Sequence, residues 1–209
     1  MNNNRVFLFD LDATVTKEEI LPALAEQVGL LEEMREMTEK TMRGEIPFQS
    51  SFLARVEMLK TIPVSRVAEI VEKTPLNEEL VQFIRTHASR CYIVTGNIDV
   101  WIEKLIKRIG LPMSHCYCSS ASVSDDYIIS VNSVVDKEKI ARQFVVPVVA
   151  VGDGSNDAEM VRLADVGIGY GGVRPVAYSL MCNATHVICD EHRLCSFLHM
   201  LCADEGEAI

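Results

Sequence analysis

"RVFLFDLDATVT", residues 5–16, decides how the rest of the chain is read. Val6 to Phe9 make an apolar run fit for a buried strand, and Leu11 extends it, yet Asp10 and Asp12 interrupt it. Carboxylates are seldom buried unless they are paired or bound to a cation. Two threonines, Thr14 and Thr16, follow at once. A strand this apolar that ends in two acids raises one question: what neutralises them?

The chain has 209 residues, enough for one large domain or a main domain with a smaller insertion. It is 48% hydrophobic and 24% charged, as in an ordinary globular protein. No run of about 18 apolar residues predicts a membrane span. The N-terminus has no basic stretch followed by an apolar one, so the expected location is the cytoplasm. The formal net charge of -10 disfavours a nucleic-acid partner. An anionic ligand then needs a metal ion or a few placed cations. The seven cysteines, an odd number in such a compartment, argue against a disulfide framework. "HCYC" at 115–118 lacks the second ligand pair that a zinc site needs and reads better as a strand. The five histidines (87, 115, 186, 192 and 199) form no ligand spacing.

After Thr16 the periodicity becomes helical. Ile20, Leu24 and Val28 recur at helical spacing, and similar patterns run to about residue 75, with breaks at Gly44-Glu45 and Ile62-Pro63. From residue 76 strands and helices alternate. "NEELVQFIRTHA", "DVWIEKLIKRIG" (closing at Gly110), "KEKIARQF" and "AEMVRLAD" read as helices. "CYIVTGN", "DYIISVNSVV", "VVPVVAV" and "VGIGYG" read as strands, and the tail "ADEGEAI" as a frayed end. The prediction is an α/β fold: a Rossmann-like parallel sheet with helices on both faces, formed by residues 1–16 and 76–209, with an all-helical insertion at 17–75.

Ligands of open α/β sheets bind beyond the carboxyl ends of the strands. Collecting the polar residues there gives Asp10, Asp12, Thr14 and Thr16, then Thr95, Gly96 and Asn97, then the "GDGSND" turn with Asp153, Asn156 and Asp157. Lys137 opens the helix before that last strand. Clustered carboxylates need a cation, and an oxygen-rich set with neither His nor Cys suits Mg²⁺. A hydroxyl, backbone amides and a lysine are what phosphate oxygens require. Asp10 is then placed to attack phosphorus, while Asp12 handles the proton of the leaving oxygen.

"DLDAT", "VTGN", a lysine and "GDGSND", in this order and across almost the whole chain, resemble the haloacid dehalogenase superfamily of phosphatases. The resemblance implies Asp10 as nucleophile and Asp12 as general acid/base whose carbonyl also faces Mg²⁺. It implies Asp10 and Asp153 as metal ligands with Asp157 in support, and Thr95 and Lys137 on the phosphoryl oxygens with Gly96 and Asn156 beside them. Lys137 is preferred to Lys139 because Ile140, Ala141 and Phe144 form a core-facing stripe behind it.

The insertion holds the position of the superfamily's helical cap and is similar to that of phosphoserine phosphatases. That similarity implies Glu19 for a substrate ammonium, Arg55 for its carboxylate, and Met42 and Phe48 closing over it. The implied substrate is a small phosphomonoester, O-phosphoserine first. Ala13 and Asn97 stand where those enzymes usually have serine and glycine, which keeps another small phosphomonoester open as substrate. A phosphotransferase with a hydroxy-amino-acid acceptor, and an idle binding module of the same fold, are the other readings. "GIGYGG" at 167–172 matches a dinucleotide fingerprint, but too little chain follows it for such a domain. A homodimer is left open.

Overall fold

The computed structural model describes residues 5–203. Of the tail expected to fray, residues 203–209, Ala203 ends the last helix and 204–209 lie outside that stretch. Strand β1 (Val6–Phe9) leads into a tight helical turn at Leu11–Val15. Four helices follow: α1 (Ile20–Glu26), α2 (Leu31–Met42), α3 (Phe48–Leu59) and α4 (Val64–Glu72). Then come α5 (Glu78–Thr86), β2 (Cys91–Ile98), α6 (Asp99–Ile109), β3 (Cys116–Ser124) and β4 (Tyr127–Ser133). The chain continues through α7 (Lys137–Ala141), β5 (Val148–Gly152), α8 (Ala158–Leu163) and β6 (Val166–Tyr170). It ends with α9 (Tyr178–Met181), β7 (His186–Ile188) and α10 (Glu191–Ala203).

The seven strands form one sheet in the order β4-β3-β2-β1-β5-β6-β7. β1 sits at its centre, parallel to β2 on one side and β5 on the other. Both faces of β1 are covered: Phe7 and Phe9 belong to the main apolar core, Leu8 to a second one on the opposite face. This explains the continuous apolar run, since a strand buried on two faces has no polar side to show. All pairings are parallel except β3–β4, an antiparallel hairpin at the edge that departs from the predicted all-parallel sheet. "HCYC" enters β3, in line with its reading as a strand. The helix expected over 137–144 stops at Ala141.

The chain leaves the sheet and returns to it at one point. Thr16 pairs with Leu76 in an antiparallel bridge, flanked by Lys17 N–H to the Pro75 carbonyl at 2.8 Å and Asn77 N–H to the Val15 carbonyl at 2.9 Å. The Asn77 side chain adds a bond to the Thr14 carbonyl at 2.8 Å. From this clasp α1, α2 and α3 reach the carboxyl ends of β1, β2 and β5, while α4 packs against α6. No helix among the described residues is long and apolar enough to cross a membrane.

Candidate active site

The turn after β1 sets the first two carboxylates. Ala13 sits at φ 53°, in the left-handed region that costs an L-residue about 1–2 kcal/mol. The cost is met locally: Ala13 N–H donates to Thr16 Oγ1 at 3.1 Å, and Thr16 N–H closes the turn on the Leu11 carbonyl at 2.9 Å. The turn presents Asp10 and Asp12 upward, Asp10 being buried and Asp12 half-buried. Both oxygens of Asp12 are held, Oδ1 by the Ile20 N–H that begins α1 (2.8 Å) and Oδ2 by the Asn97 side-chain amide.

Asp10, Asp153 and Asp157 converge, each offering one oxygen within 4.8 Å of the others. Lys137 enters from the start of α7 and donates to Asp10 and, at 2.5 Å, to Asp157. Its side chain is 3% exposed, whereas that of Lys139 is 80% exposed and pairs with Asp136. Of the two lysines, the fold thus places Lys137 against Asp10. Asp157 is more committed than its partners. Its second oxygen accepts the N–H groups of Asp153 and Gly154 at 3.2 and 2.9 Å, which fixes the "GDGSND" turn.

Charge in this cluster is unbalanced. Burial, then the charge of Asp157, push Asp10 up to about 7 despite the Lys137 ammonium. Burial, with Asp10 and Asp157 next, holds Asp153 well above the usual carboxylate range. Asp12 is also raised by burial, against the bonds from Ile20 and Asn97. Burial pulls Lys137 down, but Asp10 and Asp157 together outweigh it and keep its ammonium above the ordinary lysine value. Asp10, Asp153, Asp157 and the adjoining Glu19 meet two cations, Lys137 and Arg174, which leaves an excess of negative charge for a divalent cation, and the donors are all hard oxygens. The residues therefore fit a Mg²⁺-like ion.

Above the cluster lies a cavity of about 60 Å³. It collects Asp10, Asp12, Gly96, Asn97 and Asn156 from the sheet side, and Glu19, Met42, Phe48 and Arg55 from the helical side. The Phe48 ring presses so closely on β2 that a Cβ at position 96 would lie 2.5 Å from it, so any larger residue there would have to push the ring aside. Ser155 closes another seam by donating to the Thr41 carbonyl at 3.2 Å. Thr95, Lys137, Asp153 and Asp157 do not line the cavity. Thr95 is fully buried, and its Oγ1 accepts from the Asn97 backbone and side-chain N–H groups at 3.2 and 3.0 Å, leaving its own proton to donate.

Arg55 is 6% exposed, bonds to Thr38 Oγ1 at 3.2 Å and to the Ser51 carbonyl at 3.4 Å, and has no carboxylate partner among the described residues. Burial lowers its pKa while Asp12 opposes the shift. A buried cation facing a cavity without a counter-ion is a receptor for an anion. Glu19 reaches the same cavity but is not free: Arg174 pairs with it and with Asp153. The sequence reading missed Arg174. The one available signal was a cation two residues past the "GIGYGG" turn.

Residues 4–165 match the model of the haloacid dehalogenase-like hydrolases. The chain belongs to that family. Within the haloacid dehalogenase-like hydrolases it is similar to the phosphoserine phosphatases of Archaeoglobus fulgidus and Methanocaldococcus jannaschii. The first is 30% identical over 181 residues, 79% of this chain and 52% of the relative. The second is 26% identical over 181 residues, 79% of this chain and 85% of the relative. The chain thus spans about half the length of the Archaeoglobus protein. A solved phospho-aspartyl intermediate analogue of phosphoserine phosphatase shares the fold with a TM-score of 0.76 at 23% identity, covering 92% of this chain and 97% of that one.

Proposed function

We propose that this chain is a Mg²⁺-dependent phosphomonoester hydrolase of the cytoplasm that works through an aspartyl-phosphate on Asp10, with O-phosphoserine as its substrate. One observation supports the chemistry above all: Asp10 directly follows the central strand, contacts Lys137, shares a carboxylate cluster with Asp153 and Asp157, and opens onto a capped cavity. The names of the relatives support the substrate. So do the unpaired Arg55 for a carboxylate and Glu19 for an ammonium in one cavity.

In this reading residues 17–75 are the cap, which Met42 and Phe48 close over the substrate. The phosphoryl group lies against Asp10, with the Lys137 ammonium, the Thr95 hydroxyl proton and the Asn156 amide to balance its oxygens. Asp10 and Asp153 would hold the metal, with the Asp12 carbonyl and Asp157 in support, and the bound ion would supply further neutralisation of phosphoryl charge. The Asp10 carboxylate attacks phosphorus as Asp12, protonated, gives its proton to the departing serine oxygen. Asp12 then takes a proton from water, whose oxygen displaces Asp10 from phosphorus. Phosphate leaves and both carboxyl groups return to their starting states. Asp12 suits this double role because burial raises its pKa and two hydrogen bonds fix its direction.

A panel of small phosphomonoesters, assayed for phosphate release with and without Mg²⁺, tests the proposal. Release from O-phosphoserine is expected to exceed the rest and to vanish with a chelator. Release that is indifferent to chelation ends the metal assignment, and no release from any ester ends the hydrolase reading. The substrate reading has its own check. Arg55→Ala and Glu19→Ala are each expected to raise KM for O-phosphoserine by about 10- to 100-fold, the scale of a lost charged hydrogen bond, and to change KM for an aryl phosphate by less than about threefold. Equal effects on both esters count against it.

A further inference from the structure

Arg174 follows β6 and lines two spaces at once: the inner cavity and, outside it, a groove of about 630 Å³. It contacts two carboxylates that serve different purposes. Asp153 belongs to the buried acidic cluster, whereas Glu19 stands at the start of α1 on the helical side. Its side chain is 24% exposed, so it is neither locked in the core nor swinging free in solvent.

We infer that Arg174 is a specificity-determining residue: a built-in cation that holds the site's two cation-accepting carboxylates, Asp153 and Glu19, and must be displaced before a divalent metal and a substrate ammonium take them. The metal part stands on the carboxylate cluster alone, and the substrate part rests on the phosphoserine reading above. A guanidinium on Asp153 repels a divalent cation at the neighbouring oxygens and neutralises part of the negative charge that would attract it. On Glu19 it fills the position of an ammonium. A substrate without an ammonium has no use for Glu19 and leaves that contact in place. A substrate that carries one competes with Arg174 for it. The displaced side chain has somewhere to go, since Glu18 and Glu26 line the outer groove that it already borders, together with Arg35 and Arg43. The same pairing joins the sheet to the helical cap, so displacement also removes one of the contacts that hold the cap in place.

The effect is readable because a ligand's apparent affinity falls by the fraction of molecules in the competent form. With about nine molecules in ten held by Arg174, removing the side chain improves apparent affinities about tenfold. Arg174→Gln is expected to bind Mg²⁺ about tenfold more tightly in a calorimetric titration with the metal alone. It is also expected to lower KM for O-phosphoserine about tenfold while moving KM for 3-(phosphonooxy)propanoate, the same ester without its ammonium, less than about twofold. Arg174→Lys, which keeps the charge but lacks the forked reach to two carboxylates, is expected to fall between the two. Unchanged or weaker Mg²⁺ binding in Arg174→Gln overturns the inference, and so does an equal change for the two esters. Absence of turnover on either ester by the wild-type protein sinks the phosphoserine reading instead and leaves the Mg²⁺ titration to decide the role of Arg174.

Discussion

Asp10→Asn is expected to lower phosphate release by at least about four orders of magnitude, because it removes the group that bonds to phosphorus rather than one that assists it. The fold is expected to gain from the same change. Burial and the charge of Asp157 hold Asp10 up to about 7, far above an unfolded aspartate near 4. Between those values the folded state keeps a proton that the unfolded state has released, so rising pH costs the metal-free wild-type protein stability. Asparagine carries no such cost. The unfolding midpoint of Asp10→Asn, measured without metal, should therefore rise relative to wild type from pH 5 to pH 8, and the gap should shrink when Mg²⁺ is added to both. A variant that loses activity but shows no widening gap would place Asp10 in a less crowded site than its neighbours indicate. Retained turnover would remove it as nucleophile.

Much of this site was legible because its parts sit at strand ends, where a local pattern announces them. "FLFD" is apolar because β1 is covered on both faces, and the acids begin where the sheet stops. "VTGN", read as a turn, lies instead within the second half of β2, where the pairing with β3 shifts register, and the "GDGSND" turn leaves β5; both stand beside β1. Lys137 was chosen over Lys139 by helix-face reasoning, and the fold places it between two aspartates. What stayed hidden was tertiary. Glu19 was read as open, but Arg174, 155 positions further on, pairs with it through a contact between cap and sheet that no spacing encodes. Of β3 only the opening "HCYC" was read as strand, because the serine-rich "SSASVS" that follows holds a single large apolar residue, Val123. Ala13 now has a structural setting: it occupies a buried left-handed position in the turn, directly after Asp12.

Lys137→Met is expected to damage both stability and rate, and the two losses separate by pH. The methionine fills much of the same volume but leaves Asp10 and Asp157 without their shared ammonium. Breaking a buried ion pair from one side costs about 3–5 kcal/mol, which in a chain of this size lowers the unfolding midpoint by roughly 6–20 °C. The cost depends on ionisation. Without the lysine the Asp10 carboxyl rises further, remains protonated to higher pH, and makes stability fall as pH climbs through its folded-state value. The deficit relative to wild type should thus be small near pH 5 and large near pH 8. Mg²⁺ should recover part of it, since a divalent cation beside Asp10 replaces some of the lost charge. On the proposed mechanism the rate is expected to stay down by about 10²- to 10³-fold even with saturating Mg²⁺, because there the Lys137 ammonium balances the phosphoryl oxygens. A variant as stable as wild type at pH 8 would mean that Asp10 and Asp157 do not depend on Lys137. A variant whose rate returns fully with Mg²⁺ would make the lysine a support for the carboxylates alone.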